Sequence, residues 1–350
     1  MEVDFIIVGH GIAGINIAHQ LEENKQSYVL FNADSSHTSS KIAAGLYNPI
    51  TGRKMKHTWM AQELFPLLQQ TYKHLEDKLN VKCLHEQPIY RPFKNIEEQN
   101  EWLSNKVSED IFIKEIYTST QFPGIIQDDF GGIMLQNSGF LDLKSLIESH
   151  KAYLIEKQLY FEEQFNAEEI THYPNKITYK NISAKQLIFC DGPIAKNNFF
   201  NWVPTAPVKG EILHIVPEKP LPNNIIFNRG VFMVKNPAHP YYRVGSTYHW
   251  KDLDWQTTDE AKDQLVERLR SLLKIEFKIV GQEAGIRPAS KDRRPLVGAH
   301  PEKKNIYLFN GLGTKGVSLA PYFAKNLIEH IILGLKIDDA VNINRYYSLY

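Results

Sequence analysis

Val3-Asp4-Phe5-Ile6-Ile7-Val8-Gly9-His10-Gly11-Ile12-Ala13-Gly14 is the stretch on which the fold turns. Its β-branched and aromatic start reads as a buried strand, its glycines as a tight turn, and the residues to about Glu23 as a helix. Ser27 to Phe31 reads as the returning strand, which closes a βαβ unit. In such a unit Gly9 permits the turn, Gly11 lets the backbone approach a pyrophosphate, and Gly14 lets the helix pack close to the strand. Ile12 and Ala13 open the helix, where unpaired N–H groups and the helix dipole favour negative charge. An acidic residue usually ends the second strand and accepts the adenosine ribose hydroxyls, but here that position is Asn32. Its oxygen can accept one such bond, and Asp34, two residues on, is the alternative acceptor.

A chain of 350 residues with 43% apolar content can bury one large core or two interleaved ones. Lys plus Arg (40) equals Asp plus Glu (40), so no global field draws the protein to nucleic acid or to an anionic membrane. Cys83 and Cys190 fit neither a disulfide framework nor a metal knuckle and read as thiols in a reducing compartment. Glu2 and Asp4 stand where an export signal wants positive charge, and the apolar run Phe5 to Val8 is too short for one. No segment has the apolar length of a membrane span, so the expected location is the cytoplasm.

Apolar spacing predicts helices over His57 to Leu79, Ile96 to Lys106, Leu141 to Glu156, Thr257 to Leu273 and Val317 to Leu333. Strands are predicted over Ile89 to Arg91, Ile133 to Gln136, Gln186 to Cys190, Lys209 to Val216, Val231 to Lys235, Tyr242 to Ser246, Lys278 to Ala284 and Asn305 to Asn310. The strand-rich region 205–250, broken by Pro and Gly, points to an antiparallel sheet distinct from the parallel one. Ile306 to Asn310 leads into a second GxGxxG, Gly311-Leu312-Gly313-Thr314-Lys315-Gly316, ahead of a long helix. Such a turn again aims N–H groups at an electron-rich partner, or else uses glycine for packing alone.

Four motifs in this order resemble the D-amino-acid oxidase and glycine oxidase superfamily of FAD enzymes. Beyond the first glycine turn, His37 to Leu46 resembles the family's Ser-rich segment ending in Ala-Ala-Gly, which implies that Ser39, Ser40, Ala43, Ala44 and Gly45 contact FAD. Leu187 to Gly192 is similar to the strand whose end, here Asp191 and Gly192, passes near the cofactor. Gly285-Ile286-Arg287-Pro288 resembles a Gly-Leu-Arg-Pro segment, and Gly311 to Pro321 resembles the flavin-facing turn, which places Gly311, Gly313, Thr314, Lys315 and Gly316 at the cofactor. The implied fold is α/β: a Rossmann-like FAD domain of the glutathione-reductase type from residues 1–80, 140–205 and 280–350, with an antiparallel-sheet substrate domain from 81–139 and 206–279.

The resemblance implies oxidation of a C–N bond in a small amine or amino acid carrying a carboxylate, with hydride passing to flavin N5. Arg287 matches the carboxylate-binding arginine, a role suited to its planar fork of donors; the competing reading is an ion pair with Asp292. Tyr248 and Lys315 are further candidates, the one for a hydroxyl near the substrate and the other for a charge near the flavin. Phe232 and Thr314 stand where glycine oxidases carry a tyrosine and a second arginine, and neither replaces a charge-assisted bond. A 2-hydroxy acid remains an alternative donor. An alternative of another class is an FAD-binding domain acting within a larger complex or in tRNA modification: Ala43 to Pro49 also resembles the FAD domain of the bifunctional tRNA wobble-uridine modification enzyme, and Arg53, Lys54 and Lys56 form a small basic cluster, although neutral charge argues against a nucleic-acid partner. His57, His74, His239, His249 and His300 lack metal-ligand spacing, so no metal is expected, and no nucleophile elbow, P-loop or HExxH occurs.

Overall fold

The computed structural model describes residues 1–33, 38–51, 56–104, 110–194, 197–222 and 224–350. Asp34 and the basic residues Arg53 and Lys54 therefore lie outside the described residues. Strand Glu2–Val8 runs parallel to Tyr28–Phe31 on one side and to Ile182–Phe189 on the other. Tyr160–Phe161 extends the parallel sheet beyond Tyr28–Phe31, and Ile306–Asn310 extends it beyond the second half of Ile182–Phe189. The first half of Ile182–Phe189 instead pairs antiparallel with Ile177–Tyr179, so the sheet forks there. All four residues of Tyr28–Phe31 are buried. That follows from cover on both faces, which a parallel sheet requires and which replaces alternation by continuous apolar sequence.

Helices Ile12–Glu23 and Ala61–Leu79 both pack on the final helix Gly316–Leu333. Pro321 sits inside that final helix, and its missing N–H leaves the carbonyl four residues earlier without its usual donor. The buried Tyr72 hydroxyl donates to that carbonyl, Val317 O, at 2.9 Å. The helix predicted from His57 begins at Ala61 instead. Lys56–His57 pairs as a short strand with Ile50–Thr51, a tertiary contact that overrides local helix propensity.

A second, eight-stranded sheet has the order Phe277–Arg287, Val208–Pro217, Tyr242–Gly245, Val231–Val234, Ile226–Arg229, Ile89–Pro92, Gly132–Leu135, Ile113–Tyr117. Every neighbouring pair is antiparallel except Ile226–Arg229 with Ile89–Pro92, which is parallel. Phe277–Arg287 pairs with Val208–Pro217 along its length, with Val208 opposite Arg287 and Gly210 opposite Gly285. It thus passes unbroken through position 280. Helix Asp259–Arg270 contributes Leu265 and Leu269 to the cluster under this sheet. No helix among the described residues is long and apolar enough to cross a membrane. Both cysteines are free and buried, and burial pushes the Cys83 thiol up to about 12.

Candidate active site

The first glycine turn is set by steric limits. Gly9 has φ +105°, and a Cβ there would lie 2.4 Å from Cys190 O; a Cβ on Gly14 would lie 2.0 Å from Gly9 O. Gly9 and Gly14 hold the strand end, turn and helix together, and Gly11 leaves open backbone where, among the described residues, Ser40 Oγ is the only heavy atom within about 3.1 Å of a Cβ. Ser40 Oγ also accepts the Ile12 N–H at 3.1 Å, so the Ser-rich segment caps the helix that begins the site. Asn32 Oδ1 accepts the His10 N–H at 2.9 Å, while its amide donates to Ala33 O and the Tyr160 hydroxyl. Asn32 thus spends one lone pair on fixing the turn, and only the other is open to a ribose hydroxyl.

The second glycine turn meets the first. A Cβ on Gly316 would lie 3.2 Å from Ile12 Cγ2, so the starts of helices Ile12–Glu23 and Gly316–Leu333 are neighbours. Gly311 and Gly313 have φ +73° and +56°, and the Gly313 N–H donates to Pro288 O at 2.9 Å, which seats the Arg287 segment beside the turn.

These elements enclose a cavity of about 2250 Å³, well beyond the roughly 300–1,000 Å³ of a single small-ligand pocket. Of the residues singled out in the sequence, Gly9, Gly11, Ile12, Ala13, Asn32, Ser39, Ser40, Ala43, Ala44, Gly45, Asp191, Gly192, Tyr248, Arg287, Gly313, Thr314, Lys315 and Gly316 line it. Gly14 and Gly311 lie behind the wall. Phe232, at the position expected to carry a tyrosine, also lines the cavity.

Arg287 reaches the cavity wall from the last position of its strand. Its Nη1 donates to Thr247 O at 3.2 Å and Lys209 O at 3.4 Å, its Nη2 donates to Ser246 Oγ at 2.6 Å, and its guanidinium carbon lies 4.5 Å from the Tyr248 ring centre. Gly210 makes room for it, since a Cβ there would fall 2.0 Å from Nη2. Burial pushes the guanidinium down from its ordinary value, and the adjacent Tyr248 acts weakly against that. Asp292 is engaged elsewhere, by Arg345 Nε at 2.9 Å, so the competing ion-pair reading of Arg287 fails. Lys315 is likewise pushed down by burial and by Arg294, and among the described residues no carboxylate pairs with either cation.

Asp191 is the acidic exception on this wall. Burial raises its carboxyl to about 6, against the donors Asn197 (2.7 Å) and Asn310 (3.3 Å) that favour its ionised form. His10, inside the first glycine turn, shares a 2.8 Å hydrogen bond with His150, and burial pushes His10 down to about 3, so the pair is uncharged at neutral pH. Gly210, Ser246, Asn197 and the His10–His150 pair were not singled out as site residues. Each acts through a partner far away in sequence, and no local pattern marks it.

Converging glycine turns on a forked parallel sheet, with a second sheet over the cavity and unpaired cations on its wall, define a dinucleotide-binding α/β protein with a covered substrate site. The family model described as FAD-dependent oxidoreductase (DAO) matches residues 4–330, and the chain belongs to that family of FAD-dependent flavoprotein oxidoreductases. It is 33% identical over 140 residues to the tRNA 5-methylaminomethyl-2-thiouridine biosynthesis bifunctional protein MnmC of Campylobacter fetus, covering 37% of this chain and 22% of that one. It is 24% identical over 361 residues to the bifunctional protein ThiO/ThiG of Trichormus variabilis, covering 95% of this chain and 53% of that one. The chain thus spans about half or less of the length of these two relatives. The solved glycine oxidase of Bacillus cereus superposes with a TM-score of 0.75 at 21% identity, covering 96% of each chain.

Proposed function

We propose that the chain oxidises a C–N bond in a small amine or amino acid carrying a carboxylate. The observation that carries this reading is Arg287: a partly buried guanidinium on the cavity wall with donors to spare and no acid partner among the described residues. A buried cation left unpaired is costly unless an anion arrives to pair with it, and a planar fork suits a carboxylate. In this reading the glycine turn Gly9–Gly14 would hold the pyrophosphate of FAD and the turn Gly311–Gly316 its flavin, and the bound group would supply a two-electron acceptor for hydride from the carbon bearing the amine.

The chain's own residues bind and orient. Ser246 and the Thr247 carbonyl hold the guanidinium fork in place, and the Tyr248 ring under it limits its rotation. Arg287 then anchors the substrate carboxylate and fixes where the amine-bearing carbon lies. Lys315 adds a second unpaired positive charge to the same wall, which favours an anionic occupant. The sheet from 89–135 and 208–287 lies over the cavity, and the proposed substrate domain (81–139, 206–279) corresponds to it except that the last strand, Phe277–Arg287, runs on into the proposed FAD domain (1–80, 140–205, 280–350).

The cavity volume favours a second reading, in which the amine is borne on a larger molecule, as the match to MnmC would have it. The test is the visible spectrum of the FAD-loaded protein under anaerobic addition of amino acids, N-methyl amino acids and 2-hydroxy acids. Bleaching by an amine-bearing carboxylate supports the proposal. Bleaching by 2-hydroxy acids alone, or by none of the carboxylate-bearing amines, overturns it, and bleaching by modified tRNA alone would establish the second reading.

A further inference from the structure

We propose that His19, Glu23 and His74 form a binding site for a divalent transition-metal ion, Zn²⁺ being the fitting occupant, which staples helix Ile12–Glu23 to helix Ala61–Leu79. His19 and Glu23 stand four residues apart on one helix and so share a face. His74 projects from the other helix, and one ligand atom from each of the three side chains lies within 4.8 Å of the others. His74 Nε2 and Glu23 Oε1 are 3.4 Å apart. That is the ligand-to-ligand edge of a tetrahedron built on metal bonds of about 2.0–2.1 Å, so two of the three ligands already stand at coordination spacing.

The two imidazole rings are 5.2 Å apart and tilted by 54°, which lets their nitrogens converge on a point instead of stacking flat. His19 is only 4% exposed and carries a buried ring nitrogen with no hydrogen-bond partner. An orphaned buried nitrogen costs free energy, and coordination through that nitrogen would give it the partner it lacks. His74 and Glu23 are each about half exposed, so an ion can enter from solvent and a water can take the fourth position. Lys78, whose charge also reaches His19, is paired with Glu22, and Glu23 is the carboxylate that faces the ion. Two imidazoles and one carboxylate suit a borderline cation better than Ca²⁺ or Mg²⁺, which want oxygen donors throughout.

The role follows from how the helices are joined. Helix Ile12–Glu23 starts at the pyrophosphate-facing turn, and its links to Ala61–Leu79 are side-chain contacts: Asn16 to the Tyr72 hydroxyl, Glu22 to Lys78, and Glu23 to His74. The last of these, without a metal, is a half-exposed ion pair of little net worth. Coordination makes it the strongest of the three.

The experiment uses the FAD-loaded full chain, stripped with chelator and dialysed, titrated calorimetrically with Zn²⁺ and separately with Co²⁺. The expected result is one ion per chain, Co²⁺ bands at wavelengths beyond the flavin absorption, and a rise in Tm of roughly 3–5 °C at Zn²⁺ a hundredfold above Kd. His74→Ala and Glu23→Gln, both at half-exposed positions, should keep FAD and the metal-free Tm while weakening Zn²⁺ binding by roughly a hundredfold. Absence of one-to-one binding, or equal affinity in wild type and both variants, would overturn the site.

Discussion

At the scale of single residues, Arg287 illustrates how a charge is held ready. Its fork is fixed by Ser246, by two carbonyls and by the Tyr248 ring, yet every one of these partners is neutral, so the positive charge is left for a ligand. Arg287→Ala should lower kcat/KM for a carboxylate substrate by roughly 30- to 1,000-fold, about 2–4 kcal/mol, with FAD content unchanged. Arg287→Lys should recover only part of this, because a point charge cannot reproduce two parallel donors. Steady-state kinetics with a carboxylate substrate checks both, and unchanged kinetics in the alanine variant would remove Arg287 from its role. The motif Gly285 to Pro288 made Arg287 legible in the sequence. Gly210, whose absent side chain gives the guanidinium its space, was not legible, because the clash arises only across the pairing of Gly210 with Gly285.

Among the elements, the final helix depends on a side chain from elsewhere. Pro321 removes one N–H from the ladder, and the Tyr72 hydroxyl supplies the missing donor to Val317 O inside the core. Asn16 Nδ2 approaches the same hydroxyl at 3.5 Å, so one phenol ties together the helices that carry the two glycine turns and the helix between them. Tyr72→Phe should therefore destabilise the protein by roughly 1–3 kcal/mol, as expected for an orphaned buried carbonyl, and urea unfolding measures it. A change below about 0.5 kcal/mol would mean that the carbonyl finds another donor. Boundaries were the less legible part at this scale. The apolar spacing of His57 to Leu79 is helical, but residues Lys56–His57 are claimed by a strand partner, and local propensity does not register such a partner.

For the whole molecule, the buried histidines set a response to acid. His10 is pushed down to about 3 from an ordinary 6.5, and His150 is lowered in the same direction, both chiefly by burial. Below the ordinary value the unfolded chain takes up protons that the folded chain refuses, so stability is full above about pH 6.5 and falls as the pH drops toward 3. The slope approaches about 1.4 kcal/mol per pH unit for each such group. Asp191 opposes this below about pH 6, because its raised carboxyl makes the folded chain bind the extra proton there. His19, also held down by burial, to about 4, acts in the same direction as His10 and His150, so the buried histidines outweigh the one carboxyl and leave a net loss. Urea unfolding of the wild type from pH 7 to pH 5 should show declining stability, and His10→Asn should flatten the decline; equal slopes in the two proteins would discount the buried pair.

The sequence by itself determined the βαβ start, the second glycine turn, the strand-rich cover and the cofactor class. The first three rest on short-range signals, namely glycine spacing, β-branched runs and the apolar period of helices, and the cofactor class rests on the resemblance of four motifs to a known family. Only the tertiary structure decided that both glycine turns open on one cavity, that Asn32 spends a lone pair on the His10 N–H, and that Asp292 leaves Arg287 unpaired. It alone brought His19 and Glu23 to His74 and Tyr72 to Val317. The physical reason is common to all of these: hydrogen bonds, charges and packing act over a few ångströms in space, and partners that close were far apart along the chain.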